Sequence, residues 1–185
     1  MFHSIPNQIT LARIASVPLL MFLILWGSTS RVSTILAIAL FVLAAISDAA
    51  DGYIARSLDQ TTLFGKFADP IADKLMITAA LVSFVQLGEL GAAPVVVIIA
   101  REFLVTALRI LAIAEGKVIA ASPMGKFKTV THIWLVLAIL VNRSFDTGAA
   151  GGLGKEIVLW VAVAMAVISG GEYFYRNREV FRQGT

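Results

Sequence analysis

Six stretches of roughly twenty predominantly apolar residues dominate this chain, near residues 10–27, 32–52, 69–88, 93–114, 126–142 and 155–174. About twenty residues is the length an α-helix needs to cross the hydrocarbon core of a bilayer. In that medium every backbone N–H and C=O must be satisfied internally, so only helices and closed barrels span it. The dyad alternation of a membrane barrel is absent, which leaves helices. The chain is 58% hydrophobic and 15% charged, a balance that suits a helical bundle in lipid and not a soluble domain of this size. The expected fold is an all-α integral membrane protein with six transmembrane helices, forming one domain over residues 1–185. No small-residue cleavage site follows the first apolar stretch, so it reads as a retained span. The segments "GELGAAP" (88–94) and "RSFDTGAAGGLG" (143–154) read as the clearest breaks.

Composition removes several function classes. With no cysteine, disulfides, thiol catalysis and zinc–thiolate sites are excluded. The net charge of +3 comes without a basic patch interleaved with aromatics, so nucleic acid is not an expected partner. The basic residues instead give an orientation. Arg13, Arg56, Lys66, Lys117, Lys126, Lys128, Arg176, Arg178 and Arg182 fall on one side of the six spans, and only Arg31, Arg143 and Lys155 on the other. Both termini, the Asp-rich connection and the 115–126 connection are therefore expected in the cytoplasm, with the chain in the cytoplasmic membrane. Asn7 reads as an N-cap for the first helix. Trp26, Trp160, Tyr173, Phe174 and Tyr175 read as interface anchors near span ends.

Against this apolar background stands "DAADGYIARSLDQTTLFGKFADPIAD", from Asp48 to Asp73. Asp48 and Asp51 are three residues apart, with Gly52 and Ala55 on the same helical face; Asp69 and Asp73 are four apart. If the polar stretch with Phe64 and Gly65 reverses the chain, two antiparallel helix ends bring four carboxylates to one volume. Ionised carboxylates at the edge of the hydrocarbon repel one another and lose hydration, which is costly unless cations sit between them. Arg56 and Lys66 offset part of the charge. An all-oxygen donor set of this density suits hard divalent ions, magnesium or manganese. Asp69 alone, just before Pro70, would read equally well as a helix cap.

The spacing D-x2-D-G-x2-A-R-x8-G-x3-D-x3-D, carried here by Asp48, Asp51, Gly52, Ala55, Arg56, Gly65, Asp69 and Asp73, is similar to the signature of the CDP-alcohol phosphotransferases. "IPNQITLARI", "FGKFADPIADKLM", "REFLVTALR" and "GKFKT" resemble the branch of that family that makes phosphatidylglycerophosphate. One position departs from the pattern: His132 stands where glutamine is expected.

The resemblance implies a reaction and a set of roles. The phosphatidyl group of CDP-diacylglycerol would pass to sn-glycerol 3-phosphate, releasing CMP, at a site on the cytoplasmic side of the bundle. Asp48, Asp51, Asp69 and Asp73 would hold two magnesium ions, with manganese an alternative, and Asp73 would also take the proton of the attacking hydroxyl. Gly52, Arg56 and Thr62 would contact the cytidine diphosphate head, with Asn7, Thr10 and Arg13 closing over it. Family members are homodimers embedded among membrane lipids.

Three further charges bear on the acceptor. Arg101, Glu102 and Arg109 lie within the fourth apolar stretch, where charges face a partner or a wet cavity. Arg101 and Arg109, with Lys126 from the next span, are expected to bind the acceptor phosphate, since a guanidinium fork matches phosphate geometry. An internal Arg101–Glu102 pair is the competing reading. His132 reads as a satisfied buried histidine.

Alternatives remain at two levels. Inositol phosphate, serine or a phosphatidyl lipid could replace glycerol 3-phosphate as acceptor. A cation-coupled transporter is the rival from another class, but such proteins carry paired repeats and broken spans at the midplane, and no second copy of the acidic motif is present.

Overall fold

A computed structural model of the chain describes residues 5–26, 30–58, 63–114, 123–145 and 148–178, with side chains described over 11–26, 30–47, 74–112, 124–145 and 150–178. The described residues form six helices: α1 (Ile5–Trp26), α2 (Arg31–Leu58), α3 (Leu63–Gln86), α4 (Ala92–Ala114), α5 (Pro123–Phe145) and α6 (Gly148–Arg176). Even the shortest, α1 with 22 residues, rises about 33 Å at 1.5 Å per residue. Among the described residues, Met124–Phe145 and Ala150–Arg176 are long and apolar enough to cross a membrane.

Helix ends follow local chemistry. Pro6, Pro94 and Pro123 all fall in first turns, where a missing N–H breaks no intrahelical bond. The end of α3 is a Schellman motif. Glu89 N–H donates to the Phe84 carbonyl at 2.9 Å and Gly88 N–H to the Val85 carbonyl at 3.0 Å. Gly88 takes φ 72°, a left-handed conformation that glycine adopts without penalty.

Several helices extend beyond the apolar stretches that announce them. α6 begins at Gly148, so the expected break at 143–154 is helical on both sides of residues 146–147. Trp160 consequently stands near the middle of α6 rather than at a span end. α1 begins at Ile5, which puts Asn7 inside its first turn and removes the N-cap reading. α3 begins at Leu63, so Phe64 and Gly65 belong to its first turn, and Asp69, seven residues into the helix, is not its cap.

The chain divides into two compact units. The first comprises Met1–Glu89 with Ile139–Asp146. Within it α1 packs against both α2 and α3, over buried Leu20, Ile24, Phe41, Met76, Leu81 and Phe84. Ser33 Oγ donates to the Leu23 carbonyl at 3.1 Å, fastening α2 to α1. Arg31 Nε donates to the Ser144 carbonyl at 2.7 Å, placing a cation at the negative end of α5, and its guanidinium lies 5.2 Å from the Phe145 ring centroid. Arg143 pairs with Glu89 at 3.3 Å.

The second unit comprises Leu90–Ala138 with Thr147–Thr185. Here α4 packs on α6. Buried Ala162, Ala166, Ser169 and Gly170 give α6 the small-residue face that lets helix backbones approach closely in lipid.

Large apolar side chains lie on the outside of both units: Trp26 is 76% exposed, Val96 61%, Phe103 63% and Trp160 61%. So much exposed apolar surface is tolerated in lipid and is an aggregation liability in water.

Candidate active site

The acidic motif lies on helical backbone throughout its described part. α2 continues to Leu58, so Asp48, Asp51, Gly52, Ala55 and Arg56 keep helical spacing and Asp48 and Asp51 share a face. Asp69 and Asp73 share a face of α3 by the same rule. The side chains of these residues, and those of Asn7 and Thr10, lie outside the described residues; Thr62 lies outside them altogether.

Ala12, Arg13 and Ser16 of α1 and Leu40, Leu43, Ala44 and Ser47 of α2 line a cleft of about 190 Å³. Ser16 Oγ also approaches Met76 Sδ at 3.6 Å, three residues beyond Asp73. Ser47 of α2 and Met76 of α3 are thus both neighbours of the Arg13–Ser16 turn of α1. Arg13 is 7% exposed there, a buried guanidinium on the cleft wall. Carboxylate oxygens, which all four aspartates of the motif carry, are the donors that hard divalent ions take.

The second unit holds its own polar cluster. Glu102 Oε1 accepts from Lys128 Nζ at 2.6 Å and from Arg101 Nη1 at 3.1 Å, with all three side chains at least 87% buried as given by exposures of 13%, 9% and 10%. His132, 1% exposed, donates a ring N–H to the Ala162 backbone carbonyl. Its Nε2 and Arg101 Nε are buried without a partner among the described residues. Arg101 also lies flush on α6: a Cβ at Gly170 would stand 3.1 Å from Arg101 Cγ. Eight residues on, Arg109 Nε donates to the Tyr173 hydroxyl at 2.8 Å. Both arginines of α4 thus reach the same turn of α6, residues 170–173.

Two participants escape the sequence reading. Lys126 and Lys128 are two apart, so they project to different sides of α5; Lys126 is exposed and Lys128 buried. The signal was available, because Lys128 is four residues before His132 and shares its face. Tyr173 is not an interface anchor. It is 3% exposed and belongs to the core with Val105, Leu108 and Ala112, and its aromatic neighbours at 174 and 175 masked that role.

The family model for CDP-alcohol phosphatidyltransferase matches residues 3–168. The chain is 42% identical over 190 residues to the CDP-diacylglycerol–glycerol-3-phosphate 3-phosphatidyltransferase of Bacillus subtilis, covering 97% of each chain. It is 34% identical over 180 residues to the protein of the same name from Rickettsia bellii, covering 97% of this chain and 98% of that one. Similarity extends to a probable phosphatidylglycerophosphate synthase of Mycobacterium tuberculosis, 34% identical over 174 residues, with 94% of this chain and 81% of the relative covered.

Proposed function

The chain belongs to the CDP-alcohol phosphatidyltransferase family, and from that premise we propose that it transfers the phosphatidyl group of CDP-diacylglycerol to sn-glycerol 3-phosphate, giving phosphatidylglycerophosphate and CMP. The observation that carries this reading is the 42% identity maintained over 97% of both chains with a relative named for that reaction. The acidic helical turns and the neighbouring cleft support it.

In this reading Asp48, Asp51, Asp69 and Asp73 hold two magnesium ions, with manganese able to replace them. Divalent ions held there would supply positive charge to offset the diphosphate and the charge that builds on departing CMP. Arg13, with Asn7 and Thr10 on the same helix, closes over the cytidine diphosphate head, which rests against Gly52 and contacts Arg56 and Thr62. The apolar wall of Leu40, Leu43 and Ala44 takes the start of the lipid stem. Asp73 receives the proton of the acceptor's 1-hydroxyl. The freed oxygen bonds to the lipid-side phosphorus in line as the bond to the bridging oxygen breaks, and CMP leaves with that oxygen.

Arg101, Arg109 and Lys126 supply the cations for the acceptor phosphate. All six helices cross the membrane, both termini and the site face the cytoplasm, and two copies associate as a homodimer. The test is acceptor-dependent release of CMP: purified protein with CDP-diacylglycerol and magnesium should release CMP only when glycerol 3-phosphate is added. Release that is indifferent to the acceptor would overturn the reading.

A further inference from the structure

Arg109 is exposed, lies inside an apolar helix, and pairs with no carboxylate among the described residues. A cation in that setting faces a partner or a wet cavity. Its one described hydrogen bond is from Nε to the Tyr173 hydroxyl, at 2.8 Å, and its guanidinium carbon lies 5.4 Å from the Tyr173 ring centroid. That ring cannot swing freely, because Val105, Leu108 and Ala112 enclose it and Phe174 packs alongside. A guanidinium offers two forked edges to an oxyanion, one using Nε and one using the two terminal nitrogens. Tyr173 occupies the first edge and leaves the second.

We propose that Tyr173 is a positioning residue for the transfer reaction: its hydroxyl holds Arg109 so that the two terminal nitrogens meet the phosphate of the acceptor end-on. The proposal rests on the reading of Arg109 as an acceptor contact. A rigid tyrosine in place of a carboxylate has a chemical consequence: it orients the guanidinium without neutralising it, so the full charge remains for the phosphate.

The experiment uses the full-length protein, with Tyr173→Phe, Arg109→Gln and the double variant assayed by varying each substrate separately. Tyr173→Phe keeps the ring and its packing, so the melting temperature should be unchanged. The acceptor KM should rise about three- to tenfold, the scale of one hydrogen bond, with kcat and the KM for CDP-diacylglycerol within about twofold. In the Arg109→Gln background, Tyr173→Phe should add nothing further. A normal acceptor KM in Tyr173→Phe, with a raised one in Arg109→Gln, would overturn the positioning role and leave the acceptor site standing. A normal acceptor KM in Arg109→Gln would overturn the acceptor site and the proposal with it. Additive effects in the double variant would make Tyr173 a direct contact and overturn the proposal, as would equal damage to both KM values with a lowered melting temperature.

Discussion

Lys128 Nζ lies 2.6 Å from Glu102 Oε1, and Arg101 Nη1 reaches the same oxygen at 3.1 Å. One carboxylate oxygen therefore joins α4 to α5 while compensating two buried cations. Breaking such a group by removing one partner leaves uncompensated charge in a poorly solvated place. We expect Glu102→Gln to lower stability by about 3–5 kcal/mol, the usual cost of breaking a buried pair. Thermal unfolding in detergent measures it. An unchanged melting temperature with lost activity would show that Glu102 acts on substrate and not on the fold.

The two lysines of "GKFKT" should separate cleanly. Lys128→Gln removes a partner of Glu102 and should act mainly on stability. Lys126 is exposed, and Lys126→Gln should leave the melting temperature alone while raising the acceptor KM. Loss of a charge-assisted contact costs about 1.5–3 kcal/mol, or roughly ten- to a hundredfold in binding. Steady-state kinetics with glycerol 3-phosphate varied, beside a melting curve for each variant, checks both statements.

Adjacent glycines of α6 make a matched pair. Nothing lies within 4 Å of a Cβ added at Gly171, whereas one at Gly170 stands 3.1 Å from Arg101 Cγ. Alanine in a helix is favoured over glycine by about 0.8–1.0 kcal/mol. Gly171→Ala should therefore hold or raise the melting temperature. Gly170→Ala should lose that gain and raise the acceptor KM, because the Arg101 stem must shift. Equal effects of the two substitutions, by melting curve and kinetics, would remove Arg101 from the acceptor site.

The acidic turns give the sharpest loss of activity. Asp48→Asn or Asp69→Asn should abolish turnover while the helical circular dichroism and elution volume stay those of the unaltered protein. Excess chelator should do the same to the unaltered protein, and added magnesium should restore it. Full turnover in chelator would contradict the metal-dependent mechanism.

Much of the helical plan is legible in the apolar runs, because in lipid the backbone has no alternative to internal hydrogen bonding. Helix ends are less legible for the same reason. The stretch "AAGGLG" reads as a break by its glycines, yet α6 runs through it from Gly148. α2 persists through Asp48 and Asp51 to Leu58, where hydropathy alone would end it. The spacing of Asp48, Asp51, Asp69 and Asp73 is visible in the chain, as is the Arg101–Glu102 pair, whereas Lys128 as a partner of Glu102 and Tyr173 as a partner of Arg109 are not. Lys128 is 26 residues from Glu102 and Tyr173 is 64 from Arg109, and no local periodicity connects them.

Phosphatidyl transfer from CDP-diacylglycerol to glycerol 3-phosphate would leave a lipid product that identifies the acceptor. The most direct measurement is the mass of the lipid formed when purified protein, CDP-diacylglycerol and magnesium meet glycerol 3-phosphate, inositol phosphate and serine in competition. The expected result is phosphatidylglycerophosphate, with one CMP released per lipid formed. A lipid carrying inositol phosphate or serine, or no new lipid at all, would contradict it.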